Sequence, residues 1–268
     1  MQKIAGGFGF TEGPACDSRG DVYFTDQPND RIHQWHAKSG RVTLFKQGGG
    51  RANGMCFDTH GTLWTCSDEH NALWRIAPDG KATVVIAAYN GKRLNGPNDV
   101  WLRPDGGLYL TDPFYARPYW DHIAKEQNTE GVYYLPPHGT MLIPVISDFV
   151  RPNGLIGTPD GKTLYVADIG ANKTYSYTVA PSGSLTNKHL FCQTGSDGMT
   201  LDSAGNVYLT GHGVTVFDKS GTQILQIPVP EDWTGNICFG GSDRETLFIT
   251  ASHSVYTLRM SVHGVGSQ

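Results

Sequence analysis

The chain has 268 residues, a formal charge of -4, 17% charged residues and no Lys/Arg-rich run. That balance excludes a nucleic-acid surface or a polybasic membrane contact and points to a small-molecule partner. With 34 Gly, 15 Pro, 12 Tyr, 11 Phe and 6 Trp, the composition describes tight turns between aromatic-rich strands and not a helical protein.

In chain order, the N-terminal "MQKIAGGFGF" lacks the apolar core of a signal peptide, and no run of about 18 apolar residues follows it. The expectation is a soluble protein, cytoplasmic, or periplasmic if a leader has been removed, and either a monomer or a dimer. Six versions of one unit come next: "TEGPACDSRGDVYFTD", "ANGMCFDTHGTLWTCSD", "PNDVWLRPDGGLYLTD", "PNGLIGTPDGKTLYVAD", "SDGMTLDSAGNVYLTG" and "GNICFGGSDRETLFIT". Aligned on their second residues, they give an anchor column of Glu12, Asn53, Asn98, Asn153, Asp197 and Asn236. Eight positions on stand Gly20, Gly61, Gly106, Gly161 and Gly205, with Arg244 the exception. Eleven or twelve positions on stand Tyr23, Trp64, Tyr109, Tyr165, Tyr208 and Phe248. Chance does not hold three columns in register through six copies.

Each unit reads as a strand, a D-x-x-G or PDG turn, an alternating second strand, and further strand-like text such as "RIHQWH" or "KTYSYTV". Successive anchors are 41, 45, 55, 44 and 39 residues apart, the size of a four-stranded blade. The fold class is therefore all-β, a six-bladed β-propeller as a single domain over residues 1-268. The last unit has three evident strands, so "QKIAGG" is expected to close the ring as its fourth. An open β-solenoid is the alternative, but it needs polar capping repeats that the sequence does not show. The five cysteines (Cys16, Cys56, Cys66, Cys192, Cys238) include no CxxC pair and read as buried free thiols.

The anchors precede the innermost strand of each blade, so all six are expected at one mouth of the central channel. They offer six oxygen donors, two of them carboxylates, with no His or Cys, which suits a hard cation. Calcium (Ca2+) leads; Mg2+ and Mn2+ are alternatives, and Zn2+ is the least suited because it prefers nitrogen or sulfur. An Asn before a strand also makes Asx-turns, which is the plainer role for Asn53 and Asn236. Glu12 is a poor turn former, and its charge beside Asp197 is costly without a cation between them.

"TEGPACD", "NGPNDVWLRPDGGLYLTDPFY", "RPNGLIGTPDGKTLYVAD" and "SDGMTLDSAGNVYLT" resemble the signatures of the gluconolactonase and senescence-marker-protein (regucalcin) family over essentially the whole chain. The resemblance implies a six-bladed propeller with a divalent metal at the mouth and hydrolysis of a sugar lactone. It puts metal ligands at Glu12, Asn153 and Asp197, and places Asn98 beside them as a substrate contact or further ligand. The animal members carry an Arg two residues before that Asn, where this chain has Gly96; Arg93 is the nearest substitute.

In such a site the cation polarises the lactone carbonyl, and Asp197 takes a proton from the attacking water. A metal-bound hydroxide is the rival nucleophile, but calcium acidifies water far less than zinc, which favours carboxylate assistance. No G-x-S-x-G, H-E-x-x-H, P-loop or G-x-G-x-x-G motif offers another chemistry.

The 55-residue spacing comes from "PFYARPYWDHIAKEQNTEG", inserted after the second strand of the third unit. The first strand leaves the mouth and the second returns to it, so this insertion lies on the anchor face. Its Phe114, Tyr115, Arg117, Tyr119, Trp120 and His122 read as a lid or substrate wall, with Tyr115, Arg117 and Trp120 as sugar contacts. Asp26, Asp68, Asp112 and Asp168 end second strands near the same face and read as turn makers. His212 and His253 are within reach of the mouth as proton carriers, although a lone His near a loop is usually structural. The competing readings are a calcium-dependent phosphotriesterase or arylesterase, and a non-enzymatic calcium-binding propeller.

Overall fold

The computed structural model describes residues 1–265, almost entirely as antiparallel strands in six four-stranded sheets arranged as propeller blades. The innermost strands are Thr11–Cys16, Ala52–Phe57, Val100–Leu102, Pro152–Gly157, Met199–Leu201 and Thr234–Gly240. In the first five blades the strands follow chain order from the channel outward. The sixth contributes three consecutive strands, and Gln2–Gly6 is its outermost, pairing antiparallel with Ser254–Arg259 from Gln2↔Thr257 to Gly6↔Ser254. The ring is thus closed by the N-terminal segment, as the incomplete last unit predicts.

The repeated columns have physical causes. In the D-x-x-G turns a carboxylate caps the backbone between the first two strands: Asp17 Oδ1 accepts from the N–H groups of Arg19 and Asp21 at 2.9 and 3.0 Å, and Asp202 Oδ1 does the same for Ala204 and Asn206 at 2.9 Å each. Gly20 makes the turn at φ +92. Arg244, which replaces the turn glycine in the last unit, takes φ +58, a strained value for a side-chain-bearing residue. Its Nη2 donates to Asp17 O at 2.9 Å and so ties the sixth blade to the first.

The aromatic column lies on the second strands and packs each blade against the next. Tyr23, Tyr109, Tyr165, Tyr208 and Phe248 each belong to a different interblade cluster, and Trp64 packs on the remaining one. At about 25 cal/mol per Å² of buried apolar surface these six interfaces supply the main stabilisation of the ring. An unforeseen two-residue hairpin, Ala88–Tyr89 with Lys92–Arg93, projects between the second and third blades.

Candidate active site

The anchors form a continuous ring. In four units the residue after the anchor is glycine, and each of these glycines abuts the next blade's anchor segment. A Cβ on Gly13 would stand 1.9 Å from Asn53 O, and one on Gly198 2.1 Å from Asn236 Cγ. Gly54 meets Asp99 and Asn98 O in the same way, and Gly154 meets Asp197 O. A side chain at these places would force the blades apart, which explains the recurring N-G and D-G pairs. The inner strands are bulged at Glu12/Ala15, Ala52/Met55, Pro152/Leu155 and Thr234/Asn236, which re-aims the anchors out of regular pleat.

Glu12 and Asn153 are 3% and 2% exposed, and Asp197 is half-buried. Glu12 Oε2 accepts from Gly13 N at 2.8 Å. Burial first, and the charge of Asp197 second, push its carboxyl well above the ordinary range. Burial likewise pushes Asp197 up to about 6, against the pull of bonds from Trp233 and Asn153 and of the Arg117 charge. Trp233 Nε1 donates to Asp197 Oδ2 at 2.6 Å.

Among the anchors, two buried amide oxygens, Asn53 Oδ1 and Asn153 Oδ1, have no hydrogen-bond partner in the described residues. An orphaned buried acceptor is costly, and a cation is the partner that two of them beside two carboxylates would suit. Among the described residues no three His, Cys, Asp or Glu side chains form a metal-ligating group. A cation here would therefore rest on Glu12 and Asp197 completed by amide oxygens, and the donor set fits a hard divalent ion. Asn98 lies in the same ring, 6% exposed. Asn236 Oδ1 accepts from Ile237 N at 2.7 Å, the local backbone bond expected of it; Asn53 makes no such bond through its orphaned Oδ1.

Asp99 is a third carboxylate at this place, missed by sequence reasoning. It stands in "PND" where other units have glycine after the anchor. Its Oδ1 accepts from Val100 N at 2.9 Å and its Oδ2 from Leu155 N of the next blade at 3.3 Å. Burial, and to a smaller extent Asp197, push it up to about 7. Beneath it the channel holds a cavity of about 110 Å³, lined among others by Cys16, Cys56, Cys238 and Arg244. All five cysteines are free thiols, three buried and two half-buried.

The insertion covers the anchor face. Asn153 Nδ2 donates to Tyr115 OH at 3.0 Å, which brings the lid to the anchors directly. Arg117 binds Asp68 Oδ2 through Nε and Nη2 at 2.9 and 2.8 Å. Gln27 Nε2 donates to the same oxygen at 2.7 Å, and Trp120 Nε1 to Asp68 O at 2.7 Å. Asp68 is thus the hub of the lid. The other second-strand carboxylates are turn makers as expected. Asp26, Asp112 and Asp168 each accept the N–H groups three and two residues before their own anchor: Gly9 and Phe10, Asn95 and Gly96, Val150 and Arg151. For the second blade, Asp30 Oδ1 of the first blade takes that duty for Arg51 N at 2.7 Å, and Asp68 is freed for the lid.

Arg51 and Arg151 both stand two residues before an anchor, and their guanidiniums lie 4.4 Å from the Tyr119 ring and 4.9 Å from the Tyr115 ring. The lid of the third blade is therefore gripped by equivalent arginines of the blades on either side. At the same position of its own blade stands Gly96, where a Cβ would come 3.0 Å from Trp120 Cη2. Trp120 fills the space that a side chain there would need. Arg93 binds Asp121 Oδ1 at 2.6 Å and its N–H meets Glu126 Oε2 at 2.9 Å, so it roots the lid; among the described residues it makes no hydrogen bond or ion pair with an anchor. His212 is exposed, its ring 5.2 Å from Trp233 and edge-on to it, one ring removed from Asp197. His253 is held by Phe8 O at 3.0 Å. Trp233 was legible only as a tryptophan in the loop before the last anchor; nothing in its spacing assigned it to Asp197.

Residues 10–253 match the SMP-30/Gluconolactonase/LRE-like region model. A gluconolactonase of Zymomonas mobilis is 30% identical, over 98% of this chain and 82% of its own length. A solved gluconolactonase of Xanthomonas campestris is 29% identical with a TM-score of 0.89, covering 96% of this chain and 88% of that one. A calcium-binding protein, regucalcin, from Agrobacterium tumefaciens has a TM-score of 0.84 at 21% identity, covering 99% of this chain and 95% of that one, and shares the fold. The match over nine-tenths of the chain, on a propeller whose anchors close into one ring, makes this protein a member of the SMP-30/gluconolactonase/LRE-like family.

Proposed function

We propose that the protein hydrolyses a sugar lactone at the anchor ring, with a divalent cation, calcium first, held by Glu12, Asn153 and Asp197 and with Asn98 beside them. The observation that carries this reading is the Asn153 Oδ1 left without a partner among the described residues, next to two carboxylates whose proton affinities are raised by burial and, for Glu12, also by the charge of Asp197. When bound, such a cation polarises a carbonyl oxygen. Asp197 has one oxygen fixed by Trp233 and is the group to take a proton from water attacking the lactone. Trp233 holds that carboxylate in orientation, and the Tyr115, Arg117 and Trp120 wall encloses the sugar over the ring. His212, behind Trp233, is a candidate relay to solvent. The relatives' names support the substrate class, since they are gluconolactonases and a lactone is a cyclic carboxylic ester.

The test follows glucono-1,5-lactone hydrolysis above its spontaneous background, with protein stripped by chelator and then titrated with calcium, magnesium, manganese and zinc. Activity lost on chelation and restored by calcium is expected, with Asp197→Asn at least about 100-fold slower. No turnover of any lactone with any ion, while calcium still raises the melting temperature, would leave a structural cation and overturn the enzymatic reading.

A further inference from the structure

The lid brings one phenol hydroxyl to an anchor. Tyr115 OH accepts the Asn153 Nδ2 hydrogen at 3.0 Å. With that side of the oxygen taken, the phenol's own hydrogen remains to be donated, and no acceptor among the described residues takes it. A phenol is both donor and acceptor. Asn153, which holds this hydroxyl, adjoins the Asp197 segment in the anchor ring: a Cβ on the following Gly154 would stand 2.6 Å from Asp197 O.

The surroundings hold this phenol as a fixed donor. The Arg151 and Arg117 guanidiniums lie 4.9 and 5.6 Å from its ring centre. Arg117 is itself locked by Asp68, which Gln27 also binds. Asn153 fixes the hydroxyl end. A donor held by packing and by neighbours on three blades needs no reorganisation when charge develops near it, the condition under which hydrogen bonds contribute most to a reaction. Tyr119, the lid's other tyrosine, differs: its ring is gripped by Arg51 on the second-blade side.

We propose that the Tyr115 hydroxyl donates a hydrogen bond to the substrate oxygen that gains negative charge as water adds to the lactone carbonyl, which makes Tyr115 a further catalytic residue. The inference rests on the lactonase reading above. It assigns the lid a chemical part in the reaction in addition to that of a wall. No bond to Tyr115 forms or breaks, and its proton stays on the phenol.

The test compares Tyr115→Phe with the wild type under the metal condition that gives the highest wild-type turnover. The ring and its arginine contacts are kept and only the hydroxyl is lost. The expected result is a fall in kcat of about 100-fold, the low end of the range for losing one preorganised donor, with KM changed less than about threefold and the melting temperature retained. Tyr115→Gln, which restores an N–H donor, recovers part of the lost kcat, while Tyr115→Leu does not; this pair also serves if Y115F fails to fold. A Y115F kcat within about twofold of wild type, or a rise in KM alone, overturns the proposal and leaves the lactonase reading standing. A wild type that turns over no lactone overturns both.

Discussion

At the residue scale, the site depends on a few side chains whose chemistry is set by what touches them. Asp197 can take a proton only in its ionised form, and the 2.6 Å bond from Trp233 Nε1 favours that form. Trp233→Phe removes that bond and keeps the ring. One hydrogen bond to a charged group is worth about 1.5–3 kcal/mol, and a pH unit corresponds to about 1.4 kcal/mol. The acidic limb of the kcat profile is therefore expected to move upward by roughly one to two pH units, with the plateau nearly kept. A profile that does not move, or moves down, would detach Trp233 from the titrating carboxylate. Asp99 shows how one substitution within a repeat creates a feature. Where other units place glycine for close approach, this one places a carboxylate that binds the next blade's Leu155 N–H.

At the element scale, the insertion after strand Leu108–Asp112 is held by contacts outside its own blade. Its root docks on the small hairpin, where Gln127 Nε2 meets the carbonyls of Tyr89, Lys92 and Arg93 at 3.2, 3.1 and 2.9 Å. Its far end is latched by Arg117 on Asp68, a carboxyl whose proton affinity burial raises even with Arg117 beside it. Arg117→Met leaves that buried carboxylate without its cation. Losing one partner of a buried pair costs about 3–5 kcal/mol, and the one-quarter exposure of the Arg117 side chain reduces this to about 2 kcal/mol. R117M should therefore melt lower and show a raised KM for the lactone. The double variant D68N/R117M should be less destabilised than the two single effects added together, which a double-mutant cycle in denaturant measures. Strict additivity would mean that the ion pair does not latch the lid.

At the scale of the whole molecule, the propeller brings three carboxylates from three blades to one mouth, Glu12, Asp99 and Asp197, each with raised proton affinity. Their folded values lie above the roughly 4 of an unfolded carboxyl. The folded, metal-free chain therefore holds more protons than the unfolded one from about pH 4 upward, through the values of about 6 for Asp197 and about 7 for Asp99. Its stability is greatest at the low end of that window and is lost as pH rises through it. A cation replaces those protons, so its stabilising effect grows with pH. At a hundredfold excess over Kd, calcium should add about 2.7 kcal/mol at pH 7.5, roughly 5–10 °C in melting temperature for a chain of this size. At pH 5 the gain should be much smaller. An equal gain at both pH values would place the ion elsewhere than among these acids.

The sequence by itself determined the six-fold repetition, the blade size, the closing strand and the anchor ring, because each is a local rule written six times: a turn carboxylate, a turn glycine, an aromatic for the next blade, an oxygen donor before the inner strand. Glu12 was legible because it breaks a column of turn formers, and the lid because it lengthens one spacing. Departures that occur once were not legible. Asp68 stands one residue further from its column aromatic than Asp26, Asp112 and Asp168 do from theirs, but that shift does not by itself say that Asp68 turns to the lid. Only the tertiary structure decided that Trp233 binds Asp197, that Trp120 covers Gly96, and that Arg51 and Arg151 grip the lid from both sides. These contacts join residues 24 to 68 positions apart in sequence, and all but the Trp120–Gly96 packing cross from one blade to another. Their geometry is set by ring closure, which no local pattern encodes.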